Sequence, residues 1–405
     1  SLQCAQLHQG FSGFNSQKEY FRVKEDFNRL RLKYHGNPAM MDEILQRECR
    51  YRTSAKLPET LICEDFRFPS LAVAEMATSD AVAKLHSEMI NDGTRVLDMT
   101  CGLGIDTFHF AKKAKSVTAV ELDHHAYSVA LGNAKALKLE NVDIVEGDSL
   151  DYIAGSSDVF DVIFVDPARR DSTGRHFALR YCSPDIIPAL PLILSHCATL
   201  IIKASPMIDI KSAVRELGHD CVVTVIGTKK ECKEVIFKIS SGSEHLSNPK
   251  PIKFEALTTQ GTNFSFTPEM ETDAIVSYST PKDGAYLYEP YPAVMKAGGM
   301  KLLSATYDIG KLHPNTHLFT SEKKLASFPG EAFEIVKVLP FSKQTIKLIS
   351  KEYPDINVAT RNFPLSAPQL AAKLKIKEGG DRMIFGTTVP DGSRLLIVTK
   401  MGTPL

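Results

Sequence analysis

The chain of 405 residues lacks several features that would narrow its chemistry at once. Its 8 cysteines include no Cys-x-x-Cys pair, and Cys197 and Cys221 sit inside apolar runs. That spacing excludes a disulfide framework or a zinc ribbon and predicts reduced thiols in a cytoplasmic protein. No apolar run is long enough for a bilayer. The longest, residues 186–202, is interrupted by Pro188, Pro191, Ser195 and His196, whereas a span needs about 20 apolar residues, so no membrane partner is expected. The opening Ser1-Leu-Gln-Cys shows neither the charged nor the apolar region of a secretory signal. Net charge is missing too: 48 basic and 48 acidic residues cancel, and bulk charge argues for neither nucleic acid nor lipid. His109, His124 and His125 fall on helices without metal-ligand spacing, so no metal is expected. There is no fixed-period repeat, no low-complexity tract and no feature that sets an oligomeric state.

What is present is ordinary for a globular chain: 43% hydrophobic and 24% charged residues. At about 150 residues per domain this length predicts two or three domains. Residues 1–78 read as a helical segment, and Ser79 is placed to cap a helix beginning at Asp80. From Thr94 the pattern changes to seven short β-rich runs near 95–97, 116–120, 142–145, 159–165, 199–202, 221–226 and 235–239, separated by helical stretches. Runs apolar on both faces and spaced this way predict βαβ units and a buried parallel sheet over 79–240. A linker and a hairpin are expected in 241–280, a small module in 281–330, and a separate β-α-β-α-β-β unit in 331–405 with its helices on one face.

The strongest local signal is Val96-Leu-Asp-Met-Thr-Cys-Gly-Leu-Gly-Ile-Asp. An apolar strand ends in Asp98, and Thr100, Cys101, Gly102 and Gly104 form a loop whose glycines let the backbone approach a ligand. A dinucleotide site wants a third small residue where Thr107 stands. It also has no use for an acid beside its pyrophosphate. A carboxylate there suits a ligand with an ammonium and no phosphate, and S-adenosylmethionine fits that description. Glu121 ends the second strand, where a carboxylate can accept both ribose hydroxyls, and Asp148 follows the third, within reach of an adenine amino group. On these residues the region 79–240 resembles the class I S-adenosylmethionine-dependent methyltransferases, which implies a seven-stranded, Rossmann-like α/β core. The helix after Ser79 is expected to cover the cofactor with residues 75–86.

Asp166-Pro167 closes the fourth strand in Phe160-Asp-Val-Ile-Phe-Val-Asp-Pro-Ala-Arg-Arg. It resembles the Asp-Pro-Pro-Tyr motif of base N-methyltransferases, in which the acid or the following carbonyls hold the target amino group and an aromatic stacks on a flipped base. Asp166 and Pro167 are the expected catalytic pair. Ala168 replaces the second proline and Arg169 the aromatic, so Phe177 or Tyr181 would have to supply the stacking face. Arg169, Arg170, Arg175 and Arg180 form either a solvated loop or a phosphate-contacting lip. Base C5 methyltransferases need a cysteine after the fifth strand. Here that stretch is Lys203-Ala-Ser-Pro-Met-Ile-Asp, and Cys182, the nearest thiol, is expected to be incidental.

Two further segments, Tyr286-Leu-Tyr-Glu-Pro-Tyr-Pro-Ala-Val-Met-Lys-Ala-Gly-Gly and Ala359-Thr-Arg-Asn-Phe-Pro-Leu-Ser, extend the likeness. Together with Asp-Pro-Ala-Arg-Arg and Lys203-Ala-Ser-Pro, they resemble a bacterial methyltransferase family with a C-terminal THUMP-like domain preceded by a ferredoxin-like module. The resemblance implies an RNA substrate contacted by Arg169, Arg170 and Lys203. Lys373, Lys375 and Lys377 alternate in the tail in a way compatible with phosphate contacts or with a solvated face. Methylation of a small molecule or protein, and non-catalytic binding of S-adenosylmethionine or RNA, are the alternatives.

Overall fold

The computed structural model describes residues 26–169 and 177–404, apart from the side chains of Arg169 and Pro404. The chain forms two compact units, Ser1–Ile202 with Ser240–Gly242, and Lys203–Ile239 with Ser243–Leu405.

In the first unit the segment before the sheet is helical, as its sequence requires. Helices α1 (Phe27–Lys33), α2 (Pro38–Thr53), α3 (Leu71–Met76) and α4 (Asp80–Glu88) each start on a side-chain cap, from Asp26, Asn37, Ser70 and Ser79, which satisfies an otherwise orphaned amide. Glu48, 1% exposed on α2, is clamped by Arg31 and by Arg52 at 2.7 Å. A carboxylate this deep is costly to bury without such partners. Gln46 exchanges two 2.8 Å hydrogen bonds with the backbone of Phe68, and Asn133 does the same for Arg67 at 2.8 and 2.9 Å. The segment therefore buries Phe66 and Phe68 in the same core as Leu103, Ile105 and Phe108 of the glycine-loop region.

Five strands of this unit run parallel in the order β5-β4-β1-β2-β3: β1 (Arg95–Asp98), β2 (Ser116–Glu121), β3 (Val142–Glu146), β4 (Phe160–Val165) and β5 (Cys197–Ala204). Val96 is in register with Val117 on one side and Val162 on the other. Helices α5 (Ile105–Ala111), α6 (His124–Ala136), α7 (Ser149–Gly155) and α8 (Ile186–Ser195) make the crossovers. The chain leaves β1 toward β2 and β3, then returns at β4 on the other side. That reversal opens a crevice at the carboxyl ends of β1 and β4, where open α/β sheets bind ligands.

In the second unit, α9 (Ile210–Leu217) precedes β6 (Cys221–Gly227) and β7 (Cys232–Ser240), which pair antiparallel with Val225 opposite Val235. This corrects the expectation of an all-parallel sheet. The turn between them, closed by Thr228 N on Glu231 O at 2.8 Å, is too short for a parallel crossover. The expected hairpin is present as β8 (Pro251–Thr258) and β9 (Asn263–Phe266), with β8 parallel to β6.

A second sheet follows in the order β11-β12-β10-β13-β16-β15-β14. Its strands are β10 (Tyr286–Pro290), β11 (Gly310–His313), β12 (Thr316–Ser321), β13 (Gly330–Pro340), β14 (Asn357–Arg361), β15 (Arg382–Thr388) and β16 (Arg394–Lys400). After α10 (Pro268–Asp273), α11 (Pro292–Ala297) and α12 (Met300–Tyr307), the tail has the expected β-α-β-α-β-β order, with α13 (Lys343–Glu352) and α14 (Ala367–Leu374). It is not a separate sheet, because the long β13 pairs with β10 at one end and β16 at the other. Neighbouring strand residues alternate between faces: Ile384 and Leu396 pack under α13 and α14, while Phe385 and Ile397 face Leu287, Leu312 and Phe333. Lys373 lies in the last turn of α14 and Lys375 is its left-handed C-cap at φ 53°, so the three tail lysines do not share one strand face.

Candidate active site

The glycine loop is built from inside outward. Asp98 closes β1 with 1% exposure, one oxygen accepting Thr100 N at 2.9 Å and the other the Thr107 hydroxyl at 2.6 Å. Burial pushes its carboxyl from 3.8 up to about 7, while the bonds from Thr107 and Thr100 pull it down. Asp98 is thus turned into the loop, not outward to a ligand's ammonium. Thr107, a poor residue for a dinucleotide fingerprint, is here because Asp98 needs a buried donor.

The two glycines have different reasons. Gly104 adopts φ +87° at the start of α5, and a Cβ there would lie 2.5 Å from the Phe108 ring. Gly102, at φ +56°, has nothing within 4 Å of an added Cβ, so its backbone stays open to a ligand. Cys101 buries its thiol, with the Thr107 hydroxyl 3.9 Å from its sulfur, and its amide is fixed on Val120 O at 3.0 Å.

Glu121 is half-buried at the end of β2 and does more than its sequence position suggested. One oxygen accepts Gly102 N at 2.7 Å and the other Asp123 N at 2.9 Å, so the carboxylate braces the loop from the adjoining strand. Asp148 is exposed and caps α7, accepting Leu150 N at 2.8 Å and Asp151 N at 3.3 Å. Leu122, 70% exposed between these two acids, escaped the sequence reading. The available signal was a large apolar residue directly after a strand-ending acid, where nothing in the sheet can cover it.

The end of β4 is tied to the same loop. Asp166 N donates to Thr100 Oγ1 at 2.8 Å and Met99 N to Phe164 O at 2.9 Å. Thr100 therefore touches Asp98 through its amide and Asp166 through its hydroxyl. Pro167 is buried, and Ala168 and Arg169 pair antiparallel with Ser183 and Cys182. That short ladder brings the return leg of the loop, with Tyr181 42% exposed, beside the Asp166-Pro167 turn. Arg170 and Arg175 lie outside the described residues. Cys182 is buried, 7% exposed, with its sulfur 3.8 Å from Ala178 O. In the second unit Lys203 has an ionic partner, its ammonium 3.8 Å from the buried Glu234 carboxylate.

Helix α4 docks on α5 through polar contacts. Asp106, two residues past the glycine loop, meets His86 Nδ1 at 2.7 Å and accepts the Thr78 hydroxyl at 2.6 Å. Asp80 accepts Glu59 N, Thr60 N and the Thr60 hydroxyl at 2.8, 3.0 and 2.5 Å. His109 donates from Nδ1 to Ile105 O at 2.9 Å and is buried. Among the described residues no group of acids, histidines and cysteines could hold a metal ion, and no helix is long and apolar enough to cross a membrane.

Comparison with known families and structures agrees with this geometry. A methyltransferase domain model matches residues 90–242, a ferredoxin-like domain 286–329 and a THUMP domain-like model 330–400. The crystal structure of a "putative methyltransferase" from Porphyromonas gingivalis W83 superposes with a TM-score of 0.82 at 29% identity, covering 95% of this chain and 98% of that one. An uncharacterized RNA methyltransferase of Mycoplasma mobile is 39% identical over 84 residues, 21% of this chain and 23% of that protein. A 23S rRNA (uracil(747)-C(5))-methyltransferase of Shewanella baltica is 37% identical over 75 residues, 18% of this chain and 19% of the relative. The chain thus spans only about a quarter or less of the length of these curated relatives. The chain therefore carries a methyltransferase domain followed by a ferredoxin-like and a THUMP-like domain.

Proposed function

We propose that the protein is an S-adenosylmethionine-dependent methyltransferase acting on a base in RNA. The observation that carries this is the Thr100 bridge, which ties the acid of the glycine loop to the Asp166-Pro167 turn through contacts of 2.9 and 2.8 Å. The residues fit the cofactor: Gly102 leaves backbone open, Glu121 supplies a carboxylate beside it, and Leu122 presents an uncovered apolar surface for a flat base. Asp98 shapes the loop without contact, while Asp148 has lone pairs beyond those used in capping α7. When bound, S-adenosylmethionine supplies an electrophilic methyl group on a sulfonium. The chain's own work is orientation, because methyl transfer is an in-line displacement. The Asp166 carboxylate and the Pro167 carbonyl accept hydrogen bonds from the target amino group and hold its lone pair on the transfer axis. Tyr181 offers a ring to the extruded base, and Arg169, three residues after Asp166 in the sequence, supplies a cation for a phosphate.

An RNA substrate is supported by the THUMP-like domain and by relatives named as RNA methyltransferases. A covalent C5 route like that of the uracil enzymes lacks its nucleophile, since residues 203–209 contain no cysteine and Cys182 is buried. A second reading, methylation of a protein, has one specific support: a ribosomal protein L11 methyltransferase of Acetivibrio thermocellus, 28% identical over 142 residues.

Calorimetry tests the cofactor. S-adenosylmethionine or its demethylated product should bind, and Glu121→Ala should weaken binding about tenfold, the loss of one charge-assisted hydrogen bond. Binding of NADH in its place would overturn the assignment. Incubation of the protein with labelled cofactor and either RNA or ribosomal protein separates the two substrate readings by which fraction takes up label.

A further inference from the structure

The matched methyltransferase domain begins at residue 90, yet a side chain from the segment before it reaches both halves of the site's support. His86 lies in the last turn of α4 and is 1% exposed. Its Nδ1 is 2.7 Å from Asp106 Oδ1, and a carboxylate partner makes that nitrogen the donor. Asp106 stands on α5, two residues past Gly104. The His86 ring packs on Phe164, with centroids 5.4 Å apart and planes tilted by 43°. Phe164 stands on β4, two residues before Asp166, and its carbonyl accepts Met99 N at 2.9 Å. Both partners are themselves anchored. The other oxygen of Asp106 accepts the Thr78 hydroxyl at 2.6 Å, and the Phe164 ring meets Phe110 of α5 edge-on at 5.2 Å and 64°.

An imidazole is costly to bury in an apolar core unless its polar atoms find partners, and an apolar side chain of similar volume would fill the space as well. Histidine combines a flat ring for Phe164 with a donor for Asp106. Methyl transfer depends on the spacing between the loop that holds the cofactor and the turn that holds the target, because a misplacement of about 1 Å can cost about a hundredfold in rate. Thr100 ties those two segments at their tips. We infer that His86 is a positioning residue for methyl transfer, setting the glycine loop through Asp106 and the Asp166-Pro167 turn through Phe164. The inference rests on the methyltransferase reading given above. It adds a residue from outside the matched domain, buried too deeply to touch cofactor or target.

Two substitutions in the full chain separate the arms, read by calorimetry with S-adenosylmethionine and by label transfer to RNA at saturating cofactor. His86→Phe keeps a ring on Phe164 and loses the bond to Asp106. It should weaken cofactor binding about tenfold, the loss of one charge-assisted hydrogen bond, and leave kcat within about twofold. His86→Asn keeps a donor where Nδ1 stood and loses the ring. Its kcat should fall about tenfold while cofactor affinity stays within about twofold, since only the transition state is misaligned. Phe164→Leu should reproduce the His86→Asn pattern, and the two together should cost no more than either alone. A residue that merely fills the core would lower the urea midpoint and leave both constants of the folded protein unchanged. That result, or the same change in both histidine variants, would overturn the inference. Should a histidine variant fail to fold, Asp106→Asn and Phe164→Leu test the same two arms, and unchanged cofactor affinity in the first with unchanged kcat in the second would overturn it. If the wild type transfers no methyl group to RNA, the substrate reading falls, and the cofactor affinity of His86→Phe still decides for or against His86.

Discussion

Asp98 is the residue whose chemistry departs furthest from its surface counterparts, and it makes the most direct test of the loop. Its carboxyl stands at about 7 in the folded protein against an ordinary 3.8, with burial the largest cause. The folded state therefore holds this proton where the unfolded chain has lost it. A group of this kind contributes stability below about pH 4 that is lost as pH rises toward 7. Asp98→Asn removes the titration, so in urea melts the variant should gain on the wild type between pH 5 and pH 8. A difference that stays constant across that range would show that Asp98 is not held protonated. Asp166, a half-buried acid, has its backbone amide fixed on the Thr100 hydroxyl. Asp166→Ala should abolish methyl transfer while changing cofactor affinity less than about twofold, the pattern of an interaction used in the transition state. Loss of cofactor binding in parallel would place Asp166 in the cofactor's own site.

Among the elements, α4, the helix expected to cover the cofactor, is fastened beside the glycine loop. It packs on α5 through Asp106, which receives both His86 and Thr78, and through Asp80, whose carboxylate caps the short turn at Thr60–Ile62. Asp106→Ala would take the acceptor from the buried His86 and the half-buried Thr78, and the expected cost is about 3 kcal/mol in urea unfolding. Proteolysis should then open the chain near residue 77 before it attacks the sheet. A loss below about 0.5 kcal/mol would mean that apolar packing of Phe66 and Phe68 alone holds the segment. The periods that revealed the elements in the sequence are those set by burial. All seven predicted runs became β1 to β7, because apolar, β-branched stretches between caps leave little choice. Pairing direction was less legible: β7 reads like its parallel neighbours and differs only in the four-residue turn before it. Polar contacts between elements were not legible at all. Thr107 meets Asp98 across nine residues and Asn133 meets Arg67 across sixty-six, and no local pattern marks such pairs.

At the scale of the whole molecule, the family models for the ferredoxin-like and THUMP-like domains meet between residues 329 and 330, whereas β13 joins both into one sheet. Sequence patterning could place that boundary but not show that one long strand serves both sides, since a strand's length says nothing of how many partners it has. The methyl-transfer site draws on β1, β2 and β4. Mass spectrometry of RNA from cells lacking the protein should show one methylated nucleoside missing. Wild type should restore it, and Asp166→Ala should restore none, because orientation at the transfer axis is lost while the protein remains folded. An unchanged nucleoside profile in cells lacking the protein would remove RNA as the substrate.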